Sequence, residues 1–426
     1  MIETKLANVC HDRPNDLLTH VFRTPSRFFA ILIAAASWLS LLGIGGAACA
    51  GVAAWGAGTF VSSPPDYNNY GQSIVPVSET NAALVAGGWR HSLALNVNGT
   101  LKGWGDNTLG QTAFNVSATN WLAIACGRLH SLALNSLGAV TAAGDDGFGQ
   151  TEVPANLSNV VAVACGFYHS LVLEANGTVA AWGTSTNINT IGTDPNYGQA
   201  IVPAGLSNVV AIAGGGWHTL VLKSDGTLRG WGRDDYGQAD IPAGLSNVVA
   251  VSAGAAHNIA LRSNGTVVAW GLNIYGQTNV PGGLSNVIAI AAGGWHNLAL
   301  MADGTVVAWG AGGPNTNTLV VYGQNVVPPG LSNVVQIAAG AVHSLALVET
   351  APPILSGLFS HPSRTTDGFS VWLPSRNGRV YALEYKNSLA DTGWTPLPLV
   401  AGTGGTLQLH DPNPGPATRF YRVQRW

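Results

Sequence analysis

One unit of 39 residues recurs along most of this chain, and no other feature limits its fold as strongly. A His followed by Ser, Thr or Asn, an apolar residue and Ala or Val stands at His91, His130, His169, His218, His257, His296 and His343. The spacings are 39, 39, 49, 39, 39 and 47. A Trp-Gly pair follows the same rhythm at Trp55, Trp104, Trp182, Trp231, Trp270 and Trp309, with Ala143-Gly144 in the remaining register. A Gly-Gln pair comes next, at Gly71, Gly110, Gly149, Gly198, Gly237, Gly276 and Gly323. From the Trp or Ala to that Gly is 6 residues, except 16 after Trp55 and Trp182 and 14 after Trp309. Removing these insertions restores a period of 39 throughout.

Each unit reads as strands. Asn247–Ala253 (NVVAVSA) is a short β-branched run, followed by His257–Leu261 and, across Asn264-Gly265, by Thr266–Trp270. Asn-Gly and Asp-Gly pairs predict a two-residue hairpin turn with both residues at positive φ. A small antiparallel sheet of this kind cannot bury both faces alone, so copies must stack as a solenoid or a ring. The first copy starts at its third strand, Val52–Trp55, and the last stops after its second, His343–Val348. Together they make one unit, which is what a ring needs and which removes exposed sheet edges. The expected fold is all-β: a seven-bladed β-propeller over 51–350, closed by N- and C-terminal strands sharing one blade.

Units such as VVAIAGGGWHTLVLKSDGTLRGWGRDDYGQADIPAGLSN (209–247) resemble the repeats of the regulator of chromosome condensation family. The resemblance covers 51–349. The short period most resembles a secreted bacterial member, a β-lactamase inhibitory protein of propeller type. In that relative, aromatics on a propeller face grip a partner enzyme, which implies a binding face here. The family's nuclear relative performs nucleotide exchange on a small GTPase, which implies a third, regulatory function.

Charge and the N-terminus bear on location and partners. Only 9% of residues are charged, while the chain holds 55 Gly and 14 Trp. Residues 51–350 carry 7 Lys+Arg against 14 Asp+Glu, which argues against nucleic acid, since phosphate binding needs clustered bases. Arg23 and Arg27 precede an uncharged run, Phe28–Leu42, and small residues ending in Ala48-Cys49-Ala50. Residues 1–50 therefore read as a signal peptide with a long n-region, cleaved after Ala50, and the protein as secreted, periplasmic or on the cell surface. A lipoprotein reading of Cys49 is weaker, because Gly46 stands where Leu is usual. Membrane attachment is expected only if the segment is kept as an anchor.

The repeated His residues read as structural: seven positions around a ring cannot converge on one metal, so no metal or cofactor is expected. The Trp-Gly and Tyr-Gly-Gln elements also answer to the ring, and Ala143 in place of Trp should leave one blade less well packed. The informative residues vary between copies and precede the His: Trp89, Arg90, Arg128, Phe167, Tyr168, Trp217 and Trp295. They sit on the turn between first and second strands, so a propeller gathers them on one face, and Trp, Tyr and Arg dominate interface energetics. These are the candidate partner-binding residues. The alternative is that their rings only cover the channel mouth. Ala255-Ala256 and Ala341-Val342 leave part of this ring bare, which weakens the likeness to a β-lactamase epitope. The insertions Ala57–Asn69, Thr184–Asn196 and Ala311–Val321 are loops with either a functional role or none. Cys126 and Cys165 share a register in adjacent units, as small buried residues or as a disulfide.

Beyond Ala351-Pro352-Pro353 the repeat ends. Phe369–Leu373, Val380–Tyr385, Thr406–Leu409 and Arg419–Gln424 alternate apolar and polar residues. Residues 351–426, with Trp372, Trp394 and Tyr421, are expected to form a small β-sandwich. Segments 379–389 and 419–426 resemble C-terminal modules of exported bacterial repeat proteins. The leading functional expectation is an exported, non-catalytic scaffold for an extracellular or periplasmic protein partner. A hydrolase or lyase acting on an extracellular polymer is the alternative. It would need carboxylate clusters, for which Asp145-Asp146 and Asp234-Asp235 are the only acidic pairs.

Overall fold

The structure, a computed structural model, describes residues 51–58, 68–79, 81–115, 118–184, 194–312 and 322–348 of the repeat region. Beyond it, 360–365, 367–375, 379–388, 391, 394–413 and 419–425 are described. The expected signal peptide, the Ala351–Pro353 break and most of each insertion lie outside the described residues. Among the described residues no helix is long and apolar enough to cross a membrane.

The repeats form seven three-stranded antiparallel sheets. In the first, the inner strand Ala82–Gly87 pairs with the middle strand His91–Asn96, which pairs with the outer strand Leu101–Gly105. In the seventh, Val334–Ala339 and His343–Val348 take their outer strand from the start of the chain. Gly51–Gly56 pairs there from Gly51↔Val348 to Gly56↔His343. Middle strands are buried over five consecutive residues in every sheet, as runs such as HSLAL, apolar on both faces, require. Each inner strand opens with a register shift, as between Val248 and Ala250, and such bulges increase twist. Asn159, Asn208, Asn247, Asn286 and Asn333 enter these strands at φ between 47° and 59°, a left-handed conformation Asn tolerates.

The hairpin turns differ from expectation. Only Gly takes positive φ, between 76° and 81° at Gly99, Gly138, Gly177, Gly226, Gly265 and Gly304. The Gly99 N–H donates to Asn96 O at 2.9 Å, and the Asn96 N–H to Thr100 O at 2.8 Å. The loop therefore has three residues, a type I turn closed by a left-handed Gly. The Asn or Asp before it turns inward instead: Asn264 Oδ1 accepts from the Thr266 amide at 3.1 Å and its hydroxyl at 2.7 Å.

A hydrogen-bonded relay joins the sheets. Each His Nε2 meets a Ser, Thr or Asn of the next sheet: His91 Ser131, His130 Ser170, His169 Thr219, His218 Asn258, His257 Asn297, His296 Ser344 and His343 Ser92. The distances run from 2.8 to 3.1 Å. The seventh of these contacts returns from the last sheet to the first. Ser92 Oγ also donates to Gln72 O at 3.0 Å, where the Trp104 indole N–H arrives at 2.8 Å. Gln150, Gln199, Gln238, Gln277 and Gln324 likewise offer their carbonyls to the sheet they lead into. The second sheet, Trp121–Cys126, His130–Asn135 and Val140–Gly144, has Ala143 in place of this Trp, yet the space is filled. Phe114 stands where other copies have Val or Ile, Trp121 where they have Ala or Val, and Ala143 packs against the cluster they form. The expected weak blade is compensated.

The C-terminal residues form two facing sheets. One orders Ser360–Thr365, Gly368–Pro374 and Thr406–Asp411; the other centres on Val380–Lys386 with Phe420–Arg425. Phe369, Val371, Leu373, Tyr381, Leu383, Leu409, Tyr421 and Val423 fill the space between them. Trp372 and Trp394 lie outside this core and are half-buried, whereas Tyr421 is part of it. The opposite side of the second sheet turns to the propeller: Val380, Ala382 and Leu399 join an apolar cluster with Val267, Val287 and Val306. The Leu399 N–H donates to Ser263 O at 2.9 Å.

Candidate functional site

His257 pairs with Gly271, and every middle strand begins in the same way against the end of its outer strand. The turn before each His and the loop after each outer strand therefore share one end of the ring. Ser263, in a hairpin turn, belongs to the other end. The C-terminal module touches the propeller there, away from the candidate residues.

At the first end the aromatic rings converge. Trp89 reaches Phe167 at 5.1 Å between centroids and Trp295 at 5.8 Å, edge-on, each two sheets away. Phe167 meets Trp217 at 5.2 Å, and Tyr168 meets Trp217 at 6.2 Å. The Arg128 guanidinium lies 4.7 Å from the Trp89 ring and 5.1 Å from the Tyr168 ring, and it donates to the Tyr168 hydroxyl. Arg90 stands apart from this cluster, 5.0 Å from Tyr70. All seven candidate residues are half-buried. Ala255, Ala256, Ala341 and Val342 are buried, and Ala341 and Val342 pack with Trp89, Trp295 and Tyr322, so rings from neighbouring sheets cover a sector expected to be bare. Aromatic pairs contribute about 0.5–1.5 kcal/mol each beyond area burial, so the cluster is a preformed surface.

The rings span the mouth of an axial cavity of about 260 Å³, lined by the inner strands of all seven sheets. Its rim is stitched by backbone hydrogen bonds between neighbours, such as Trp89 N–H to Gly127 O at 3.2 Å and Ala341 N–H to Gly88 O at 3.0 Å. A Gly three residues before each His permits this. A Cβ on Gly254 would lie 2.3 Å from His257 Cε1 and 2.4 Å from Gly293 O. Cys126 and Cys165 line the cavity as free thiols; burial pushes Cys126 up to about 12 and Cys165 well above its usual value.

Several residues of this face were not singled out from the sequence. The residue before each Gly-Gln pair points onto it, while the Gln turns inward. Phe148 packs on Tyr168 at 5.3 Å. Arg233 lies 5.4 Å from Trp217, 4.9 Å from Tyr197 and 5.9 Å from Tyr236, and pairs with Asp235 at 2.6 Å. Leu109, Phe148, Tyr236 and Ile274 are exposed. The run of Tyr, Leu and Phe before Gly-Gln was the available signal. The edges of the insertions reach the cluster too: Asn68 accepts from the Trp89 indole at 3.1 Å and donates to the Tyr322 hydroxyl at 3.0 Å.

The His residues play a different part. Ser92 Oγ spends its proton on Gln72 O, and Asn258 presents Oδ1 to His218 while its amide donates to Gln238 O at 2.7 Å. In both cases Nε2 must carry the ring proton, leaving Nδ1 bare and without a partner among the described residues. Burial pushes His91, His169, His296 and His343 down to about 3, and His130, His218 and His257 to about 4. The rings are neutral structural donors. Among the described residues no three His, Cys, Asp or Glu side chains gather where they could hold a metal. Asp145 is occupied by Gly147 N and Gln150 Nε2, Asp146 by Thr151 N, and Asp234 by Ala239 N, all within their own loops.

The regulator of chromosome condensation (RCC1) repeat model matches residues 83–111, 121–150, 160–188, 209–238, 248–277 and 287–313. No curated protein matches the chain. Human WBSCR16 is similar in structure, with a TM-score of 0.53 and 21% identity, over 71% of this chain and 99% of that one. Prp20p from Saccharomyces cerevisiae has a TM-score of 0.56 and 20% identity, over 72% of this chain and 93% of that one. Six matched repeats, and a fold shared with these propellers, agree with the relay and register described above. The chain belongs to the regulator of chromosome condensation repeat family.

Proposed function

We propose that the chain is an exported, non-catalytic scaffold that holds a protein partner on the aromatic end of its propeller. The carrying observation is the continuous patch of Trp89, Phe167, Tyr168, Trp217 and Trp295, at the end away from the C-terminal module. Half-exposed rings flanked by exposed Leu109, Phe148 and Tyr236 suit a protein interface, whose central contacts are Trp, Tyr and Arg. The structure of Prp20p is described together with binding to Gsp1p and histones, which supports a protein partner as the class of ligand. Export rests on the apolar run before Ala50, and the module boundary on the end of the repeat near 350. N-terminal sequencing of the protein from culture supernatant tests export, with Gly51 as the expected first residue.

The binding test is a pull-down from the native extracellular fraction with the wild type, Trp217→Ala/Trp295→Ala, and Leu137→Ala in a hairpin turn at the opposite end. The double variant is expected to lose the bound protein and Leu137→Ala to keep it. Retention of every bound protein by the double variant overturns the proposal.

A further inference from the structure

We infer that the partner presents an acidic side chain to this face and that Arg128 receives it. The inference rests on the proposed binding face and gives its partner a chemistry. Arg128 is fixed between two aromatic rings, at 4.7 and 5.1 Å, with one N–H committed to the Tyr168 hydroxyl. Stacking orients a guanidinium and leaves its charge uncompensated, with further donors in a planar fork that fits a carboxylate. Among the described residues no carboxylate lies within ion-pair distance of Arg128. Arg233, the other arginine against the cluster, is paired with Asp235. Asp145, whose N–H donates to Leu129 O beside Arg128, and Asp146 accept hydrogen bonds within their own loop.

The surroundings of Arg128 complete the match. The loops leading into its own sheet and into the next carry Leu109 and Phe148 at their tips, 48% and 43% exposed, and Phe148 packs edge-on against the same Tyr168 that holds Arg128. A fixed, unpaired cation thus sits between two apolar shoulders. The complementary surface is an Asp or Glu flanked by apolar side chains. A propeller with 7 basic and 14 acidic residues offers such a group few other points of attraction.

The test is selection of a random 12-residue peptide display library on the full chain, in parallel with Arg128→Gln, Arg128→Lys and Trp217→Ala. Thermal unfolding of each variant establishes that it is folded. Peptides selected on the wild type are expected to share an Asp or Glu beside an apolar residue. In synthetic peptides, its replacement by Asn or Gln should weaken binding to the wild type about tenfold or more and to Arg128→Gln less than about twofold. Arg128→Lys should fall between, keeping charge and losing the fork. An acidic preference that persists on Arg128→Gln overturns the inference. Peptides without an acidic residue whose binding Trp217→Ala abolishes would sink it while leaving the binding face intact. Peptides indifferent to both positions, or no enrichment at all, would overturn the face as well.

Discussion

Acid should unfold the propeller through its histidines, steeply and at a pH where most proteins are stable. Seven imidazoles are fully buried and neutral, with values near 3 or 4 against about 6.5 when unfolded. The folded values are depressed, so on acidification the unfolded chain takes up protons first. The stabilisation is whole above about pH 6.5 and is lost as the pH falls towards the folded values. Near pH 5 each His costs about 1.4 kcal/mol per pH unit, and the seven together about 9. Integrated from about pH 7 to pH 5, the loss is about 2 kcal/mol per His and about 13 in all, comparable with the 5–15 kcal/mol of a typical domain. Urea unfolding followed by tryptophan fluorescence at several pH values measures this. The midpoint should collapse between about pH 6 and pH 5, and His257→Gln, which keeps an N–H for Asn297, should lower the steepness by about one proton. A midpoint unchanged from pH 7 to pH 5 would refute the buried neutral relay.

Two substitutions probe the packing. Gly254→Ala places a methyl 2.3 Å from the His257 ring at an ordinary φ, and should cost about 1–3 kcal/mol by urea unfolding. Gly282→Ala, with nothing within 4 Å, should change stability by less than about 0.5 kcal/mol. Phe114→Val restores the usual residue type of its register but should cost about 2 kcal/mol, because Phe114 fills the space left at Ala143. Adding Ala143→Trp should recover part of that loss. A neutral Phe114→Val would show that the blade is not compensated in this way.

Much of the fold was legible because each requirement is written many times. The period, the three strands and the shared seventh sheet all follow from the His, Trp and Gly-Gln registers, which repeat despite insertions. The candidate residues before each His do converge on one end. What escaped depends on contacts between copies. The Gly three residues before each His is demanded by the imidazole of its own sheet and, as at Gly254, by the neighbouring sheet's carbonyl, not by its own φ. The Tyr before Gly-Gln looked structural because it recurs, yet its ring faces outward with Arg233. The hairpin turn hides behind an Asn-Gly pair that suits two geometries, and the inward bonds of Asn264 choose between them. Docking of Leu399 on Ser263 joins two modules whose sequences share no pattern, so neither foretells the other.

The face exists only if the last sheet takes its outer strand from the start of the chain. Ala53 and Ala346 lie directly opposite in that pairing. Residues so placed are about 4.5–5.5 Å apart at Cα, within reach of a disulfide. Ala53→Cys/Ala346→Cys is oxidised and the linked peptides are identified by mass spectrometry. The expected result is an intramolecular bridge between 53 and 346 in nearly every molecule, raising stability by about 5 kcal/mol through the long loop it closes. Free thiols at both positions in the folded protein, or bridges only between molecules, would contradict the ring and the face built on it.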